Sequence, residues 1–141
     1  RYIEQFAEVS DWLGFHYEAG SDCVALLKRI RELGCKACIT IKPCTEPQEV
    51  FHLLELCDMV LVMSVEPGFG GQKFMPSALD KLSCLRDEIH RRGLDIELEV
   101  DGGINAETAP LAAKAGATVL VAGSYVFSDD MERSVKFIRS L

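Results

Sequence analysis

The sequence predicts an α/β protein whose strands form a parallel sheet. Short apolar segments alternate five times with helix-like stretches, and the links between them are short. Regular alternation of this kind is typical of βα units, in which parallel strands are joined by helices. The segment 59–63 reads Met-Val-Leu-Val-Met, and such a continuous apolar run indicates a parallel strand covered on both faces. We therefore expect a parallel sheet in which a helix follows every strand.

Each predicted element is supported by a local signal. The five predicted strands are residues 11–16, 36–42, 59–65, 94–100 and 118–122. Helix starts are indicated by capping or first-turn residues, namely Ser21, Thr45 with Gln48 in a capping box, Pro76 and Asn105. Helix ends are indicated by glycines that follow the apolar periodicity, namely Gly34, Gly93 and Gly116. A last helix is expected over 131–140, and a single domain accounts for the whole chain.

Composition and charge exclude several classes of protein. The 141 residues include 15 Lys and Arg against 22 Asp and Glu, which gives a net charge of −7. Hydrophobic residues make up 48%, too many for a disordered chain. The longest apolar runs are far shorter than the roughly 18 residues of a membrane span, and no signal-peptide pattern opens the chain. We expect a cytoplasmic protein with neither a nucleic-acid nor a membrane partner.

The six cysteines have no obvious metal or redox pattern. The only close pair is Cys35 and Cys38, a lone C-x-x-C with no second pair to complete a zinc site. This pair lies at the start of a predicted strand, whereas reactive pairs lie at helix N-termini. We expect buried or partly buried free thiols in a reducing compartment, with a metal or redox role as the less favoured alternative.

Three glycine-bearing loops follow three successive predicted strands. They lie within residues 63–72, 99–104 and 121–124. The carboxyl ends of parallel strands are where α/β proteins bind ligands, and glycine lets backbone N–H groups approach a phosphate closely. A tight turn explains each loop equally well when it is taken singly. Three such loops on consecutive strand ends favour a phosphate site held by amides, which suits an acidic chain.

Asp101 is the strongest single candidate for chemistry. It ends a predicted strand just before two glycines, where a carboxylate can exchange protons or bind a metal. Helix capping is the alternative, but Asn105 already fills that role. Side chains alternate along a strand, so if Asp101 faces a ligand, Glu99 faces the same side one layer deeper. We expect Glu99 to be paired or hydrogen-bonded there, in a structural role.

Three further residues have two interpretations each. His16 ends the first predicted strand and either lines a pocket or, as is more common for a lone histidine, is structural. Met63 either packs in the core or forms a soft wall over the reacting atoms. Lys42, at another strand end, is interpreted as a solvated lysine, with a Schiff-base lysine as the alternative.

Two motifs resemble those of a known family. Residues 63–75, MSVEPGFGGQKFM, together with residues 98–104, LEVDGGI, closely resemble the ribulose-phosphate 3-epimerases. Shorter segments at 15–19, 41–43 and 122–124 fit the same family in the same order, so the resemblance covers essentially the whole chain. A related allulose-phosphate epimerase would be expected to differ within the GFGGQ and DGG segments.

The resemblance implies a fold and a reaction. The family fold is a parallel (β/α)8 TIM barrel, of which this chain would form about five βα units, strands four to eight, as one partial domain over 1–141. The family reaction interconverts ribulose 5-phosphate and xylulose 5-phosphate in the pentose phosphate pathway. Two Asp residues transfer protons at C3, and a divalent metal (Zn, Fe, Mn or Co) stabilises the enediolate oxygens. A homodimer is also implied.

The resemblance implies roles for individual residues. Asp101 matches the Asp that is both catalytic acid/base and metal ligand, and Met63 matches a methionine at the reacting centre. The loops that hold substrate and phosphate are matched by Gly68, Phe69, Gly70, Gly71, Gly102, Gly103, Gly123 and Ser124. His16 matches a fourth-strand histidine that is not a metal ligand.

The resemblance also predicts what this chain lacks. In the family, a substrate-binding Ser, the other catalytic Asp and the remaining metal ligands, two His and that same Asp, belong to the first three strands. We therefore expect the chain to be inactive or nearly so alone, as part of a longer epimerase. Two alternatives stay open: a non-catalytic half-barrel that pairs with another chain, and another phosphate-binding barrel enzyme, such as an indole- or hexulose-phosphate enzyme.

Overall fold

The computed structural model describes residues 2–20, 22–68, 70–127 and 130–141, with only the backbone described at Tyr2. Within these residues the helices are α1 (Tyr2–Ala7), α2 (Cys23–Glu32), α3 (Ser77–Arg92), α4 (Thr108–Ala115) and α5 (Met131–Arg139). The strands are β1 (Trp12–His16), β2 (Lys36–Ile41), β3 (Met59–Met63), β4 (Glu97–Asp101) and β5 (Val119–Val121). A 3-10 turn at Tyr17–Ala19 follows β1, and a longer 3-10 helix at Pro47–Leu56 follows β2.

The five strands form one sheet in which neighbours in sequence are neighbours in space. Their order is β1-β2-β3-β4-β5, and every pair is parallel. A parallel neighbour is reached only by a crossover, and right-handed crossovers between successive strands keep all the connecting helices on one side of the sheet. The predicted parallel α/β sheet is confirmed.

One face of the sheet carries the hydrophobic core. The strand side chains in this core share one parity, and the large buried ones among them include Ile39, Ile41, Val60, Val62, Leu98 and Val100. They lie in register across the sheet, with Ile39 beside Val60 and Val60 beside Leu98. Helix side chains such as Leu27 and Leu82 complete the layer without any exposure to solvent. Removing this apolar layer from water is the main contribution to stability.

The opposite face, which we call the open face, is covered by no helix of the described chain. Its side chains include Trp12, Met59, Leu61, Glu99 and Asp101, none of which belongs to the core cluster. Met59 and Leu61 stay partly exposed, so the expectation that β3 is covered on both faces is wrong for the described residues. Within those residues, β1 and β5 each pair with a strand on one side only. The segments that connect successive strands pack against the core face, and crossovers of one hand keep them on that side.

The ends of α3 agree with the sequence, whereas β4 begins later than expected. Pro76 precedes the helix as its N-cap, and Gly93 ends it in the left-handed conformation at φ 65°. The Leu94 N–H is still part of this helix end, because it donates a hydrogen bond to the Ile89 carbonyl at 3.1 Å. The strand therefore begins at Glu97, three residues after the predicted start.

Two helix caps lie at or beside the predicted residues. The Asn105 side chain accepts a hydrogen bond from the Thr108 N–H at 3.0 Å, so the predicted cap before α4 is present. Ser21 lies outside the described residues. Asp22 caps α2 by accepting from the Ala25 N–H at 3.0 Å, which satisfies a donor that the helix itself cannot.

The predicted capping box at Thr45 and Gln48 is wrong. The box is formed one residue later by Glu46 and Glu49, whose side chain accepts from the Glu46 N–H at 2.9 Å. The Thr45 hydroxyl donates instead to the carboxylate of Glu18, beyond the end of β1. A buried threonine hydroxyl needs a partner, and the tertiary contact supplies one that the local pattern does not contain.

All six cysteines are free thiols, as expected. Burial raises the pKa of both Cys38 and Cys57 to about 12, which makes these thiols poor nucleophiles. Cys44 is the exception to the expected burial, because it lies exposed in the turn after β2.

Glu88 holds two arginines at the end of α3, and one of them joins this helix to the rest of the helical layer. Its carboxylate accepts from Arg91 at 2.7 and 2.8 Å and from Arg92 Nε at 2.6 Å. Arg92 also donates to the Phe51 carbonyl at 2.9 Å, which joins α3 to the 3-10 helix. The hydrogen bond from Arg91 lowers the pKa of Glu88 to about 2, with burial opposing the shift and Arg92 adding to it.

Glu88 makes stability depend on pH at acidic values. Its pKa is about 2 in the folded chain against an ordinary value of 4.5, so its stabilising contribution is present above pH 4.5 and is lost as pH falls towards 2. We expect Glu88→Gln to lower the urea midpoint at neutral pH, and the difference from wild type to vanish near pH 2. Glu132→Gln, which removes an exposed ion pair to Lys136, is the control and has little effect at any pH. A constant Glu88→Gln difference across this range would contradict the prediction.

The same leucine-to-alanine change is expected to destabilise the protein by different amounts on the two faces of the sheet. Leu98→Ala, on the helix-covered face, is expected to cost about 2–5 kcal/mol of unfolding free energy, because it leaves a cavity in the core. Leu61→Ala, on the open face, is expected to cost less than about 2 kcal/mol, because water already reaches this side chain. Urea unfolding measures both. Equal costs would mean that another chain or segment covers the open face in solution.

Candidate functional site

A cleft opens at the carboxyl ends of β3, β4 and β5. Its volume is about 340 Å³. It is lined by Met63, Val65, Glu66, Pro67, Gly68, Gly70, Gly71, Gln72, Asp101, Gly102, Gly103, Ile104, Val121, Gly123 and Ser124. All the predicted site residues within the described part of the chain are therefore brought together, while Phe69 lies outside the described residues. Three separate loops meet here because parallel strands end at the same edge of the sheet.

Asp101 is the last residue of β4 and lies between Met63 and Val121 in register. All three side chains lie on the open face and line the cleft. The carboxyl group of Asp101 is only partly exposed, and burial raises its pKa above the ordinary value. A carboxyl group with a raised pKa exchanges protons more readily near neutral pH than an ordinary aspartate does.

Glu99 lies on the open face, one layer below Asp101. Burial raises its pKa, and the nearby charge of Asp101 adds to the shift. The expected hydrogen bond or ion pair is wrong within the described residues, since none is formed there to the Glu99 carboxylate. The partly exposed position explains this, because water on the open face can solvate the group.

Ser64 joins the loop after β3 to the end of β4. Its N–H donates to the Asp101 carbonyl at 2.9 Å, and its hydroxyl donates to the Gly102 carbonyl at 2.6 Å. Its own carbonyl accepts from the Met75 N–H at 2.8 Å, where the loop returns. The side chain is fully buried and does not line the cleft. Sequence reasoning missed this residue, for which the available signal was a small polar side chain directly after a buried strand.

Gly102 and Gly103 allow this loop to approach the neighbouring backbone. A Cβ atom on Gly102 would lie 2.6 Å from Val65 Cγ2, and one on Gly103 would lie 2.5 Å from the Phe74 nitrogen. Both residues also have positive φ values, 127° and 64°. Glycine is therefore required here by space and by backbone conformation, as predicted for a close approach.

Gly70 and Gly123, which also line the cleft, are not required by packing or by backbone conformation. A Cβ atom on Gly70 or Gly123 would meet no atom within 4 Å, and neither has a positive φ. Their missing side chains therefore leave room that the fold itself does not use. The loop that contains Gly70 is held by the Gln72 side chain, which donates to the Glu66 carbonyl at 2.6 Å.

His16 does not line the cleft, which supports its structural interpretation. Its Nδ1 lies 3.8 Å from an oxygen of Glu18, and neither atom forms a hydrogen bond within the described chain. Burial acts to raise the pKa of Glu18, but hydrogen bonds from the Thr45 hydroxyl and the Lys42 N–H outweigh it and lower the pKa. These contacts fasten the end of β1 to the end of β2.

The described residues do not form a metal site by themselves. Within them, no group of three or more His, Cys, Asp and Glu side chains is arranged to hold a metal ion. Asp101 offers one carboxylate, and a tightly held divalent ion takes three or more protein ligands in most sites. No helix of the described chain is both long and apolar enough to cross a membrane.

Comparison with protein families and with individual proteins identifies similar sequences. Residues 1–127 match the model of the ribulose-phosphate 3 epimerase family. The ribulose-phosphate 3-epimerase of Candida glabrata is 44% identical over 141 residues, and that of Methanocaldococcus jannaschii is 43% identical over 139 residues. These matches cover 99% and 98% of this chain but 56% and 59% of the relatives. The chain therefore spans somewhat more than half of their length.

Comparison with solved structures supports the fold alone. A mutant tryptophan synthase alpha-subunit from Pyrococcus furiosus superimposes with a TM-score of 0.68 at 17% identity, over 97% of this chain and 59% of that one. The 3-dehydroquinate dehydratase of Geobacillus kaustophilus superimposes with a TM-score of 0.59 at 15% identity, over 98% and 55%. The parallel α/β sheet thus has TIM-barrel-like neighbours.

Because Gly102 lies so close to Val65, adding a single methyl group there is expected to destabilise the fold strongly. We expect Gly102→Ala to lower the unfolding free energy by at least about 2 kcal/mol, because the new Cβ clashes with Val65 and the backbone is strained at positive φ. Gly123→Ala, which meets open space, is the matched control and changes stability by less than about 0.5 kcal/mol. Urea unfolding measures both variants, and similar costs for the two would contradict this packing.

Proposed function

Because the chain belongs to the ribulose-phosphate 3-epimerase family, we propose that it carries the phosphate-binding part and one acid/base residue of a site that interconverts ribulose 5-phosphate and xylulose 5-phosphate. The observation that carries this proposal is the position of Asp101 in a cleft whose other walls are glycine-bearing loops. A sugar phosphate needs both features: a group that moves a proton at carbon, and donors that hold the phosphate.

Backbone amides are the proposed phosphate ligands. The lining residues of the cleft include no lysine or arginine within the described part of the chain. Loops rich in glycine can present several N–H groups to one anion without a basic side chain. The glycines assigned to this role are Gly68, Gly70, Gly71, Gly102, Gly103 and Gly123, with Ser124 beside them and Phe69, which lies outside the described residues, as a further member.

Asp101 is the proposed acid/base group for one face of C3. Its carboxylate takes the C3 proton, the C–H electron pair passes into the enediolate, and a proton is returned to C3 to complete the reaction. The raised pKa of Asp101 supports such an exchange. Met63, which is 9% exposed beside Asp101, would form the apolar wall over the reacting atoms.

Inversion at C3 needs a second acid on the opposite face of the sugar. We propose that this group, and the remaining ligands of a divalent metal to which Asp101 contributes, come from outside this chain as part of an eight-stranded barrel. The open face, the single-sided pairing of β1 and β5 and the greater length of the relatives support this view. The metal's identity stays open among Zn, Fe, Mn and Co, and a homodimer remains part of the proposal.

A second candidate is a non-catalytic half-barrel that pairs with another chain. The unpaired edges of β1 and β5 within the described residues favour it, because exposed strand edges invite association. Sedimentation of the purified chain distinguishes the candidates in part, since a well-folded, strictly monomeric chain would count against the half-barrel.

An epimerase assay tests whether this chain alone holds a working active site. We expect no appreciable conversion of ribulose 5-phosphate by the purified 141-residue chain with added divalent metal, because one acid/base group cannot serve both faces of C3. Turnover that Asp101→Asn abolishes would support the epimerase activity and overturn the proposed incompleteness.

A binding measurement tests the phosphate site separately. We expect Gly123→Ala to raise the dissociation constant for inorganic phosphate by about tenfold, because its methyl group would occupy space meant for the anion. Calorimetric titration measures the affinity, and urea unfolding checks that stability is unchanged. Failure of the wild-type chain to bind phosphate would contradict the proposed site, whereas unchanged affinity in the variant would exclude Gly123 from it.

A further inference from the structure

We propose that Ser64 is a positioning residue of the candidate site, which aims the backbone N–H of Gly103 into the cleft as a donor to an oxyanion. The inference rests on the proposed phosphate function and deepens it. It starts from the use of all three polar groups of Ser64 in contacts between loops, at a position with no exposure to solvent. Since Ser64 does not line the cleft, any effect on a ligand must pass through another residue.

The hydroxyl contact fixes one peptide unit. The Ser64 hydroxyl donates to the Gly102 carbonyl at 2.6 Å and also lies 3.0 Å from the Asp101 carbonyl oxygen. The carbonyl of Gly102 belongs to the same planar unit as the N–H of Gly103. In a trans peptide these two groups point in opposite directions, and the described chain contains no cis bond. A carbonyl held against buried Ser64 therefore turns the Gly103 N–H away from it.

Gly103 itself lines the cleft, whereas Ser64 does not. No hydrogen bond to its N–H is formed within the part of the chain that the structure describes. A backbone N–H without a protein partner needs water or a ligand to satisfy it. The Gly103 N–H is thus a hydrogen-bond donor without a protein partner in the described chain. It is turned away from Ser64 and lies two residues after Asp101.

Flexible glycines make this restraint necessary. Gly102 and Gly103 lack side chains that would limit rotation of the peptide between them. Contacts to Val65 and Phe74 restrict the space, but the direction of the carbonyl is set by its hydrogen bond to the hydroxyl. Without the hydroxyl, the Gly102 carbonyl loses its partner and the peptide can turn, so the Gly103 N–H no longer holds one direction.

The test combines a conservative rescue with a matched control. Ser64→Ala removes the hydroxyl, Ser64→Thr keeps it, and Ser83→Ala removes a hydroxyl that donates to the Ala115 carbonyl at 3.3 Å away from the cleft. Each variant of the 141-residue chain is titrated with inorganic phosphate while amide resonances are followed by NMR. We expect Ser64→Ala to shift the Gly103 resonance and to weaken phosphate binding by about tenfold. Ser64→Thr and Ser83→Ala keep nearly wild-type affinity.

The outcomes separate this inference from the proposed function. If phosphate binds Ser64→Ala as tightly as the wild type, or binds the wild type without perturbing the Gly103 amide, the assignment of Ser64 is overturned while the phosphate site stands. If the wild type does not bind phosphate, the proposed function fails and the role of Ser64 fails with it. Even if Ser64→Ala does not fold, a wild-type Gly103 resonance that phosphate leaves unchanged overturns the assignment.

Discussion

The hydrogen bonds that join the end of β3 to the end of β4 hold the candidate site in shape. Ser64 supplies them to Asp101 and Gly102 from a fully buried position. Because Gly102 and Gly103 have no side chains, the two loops approach until a Cβ atom on either residue would clash. The carboxylate and the amides of the cleft thus depend on contacts made behind them, which is how rigid scaffolds preorganise a site.

The one-sided core explains where the chemistry lies. Crossovers of one hand place the connecting helices on the same face, so apolar side chains of one parity are buried and those of the other parity reach the open face. Asp101 and Glu99 belong to the second set and remain partly hydrated. Burial raises the pKa of both groups without a compensating partner in the described chain, a cost that functional sites commonly carry.

Local sequence patterns predicted some helix ends correctly but failed where a side chain bonds to a distant segment. The cap at Asn105 and the end of α3 at Gly93 were predictable because a helix end is satisfied by residues close to it in sequence. The Thr45 capping box was wrong because its hydroxyl bonds to Glu18, 27 residues away. Glu99 was expected to be paired because its side chain was expected to point into the interior below Asp101, where a polar group needs a partner.

The parallel sheet and the glycine-bearing loops follow from periodicity and from glycines after strand ends, because these signals lie between residues close in sequence. The resemblance to a known family supplied the individual candidate site residues apart from Asp101 and Met63. The roles of those residues stay predictions. The open face, the Ser64 contacts and the difference between Gly102 and Gly123 came only from the folded chain. They depend on distances between segments far apart in sequence, and the same amino acid, glycine, is required by packing at one position and borders open space at the other.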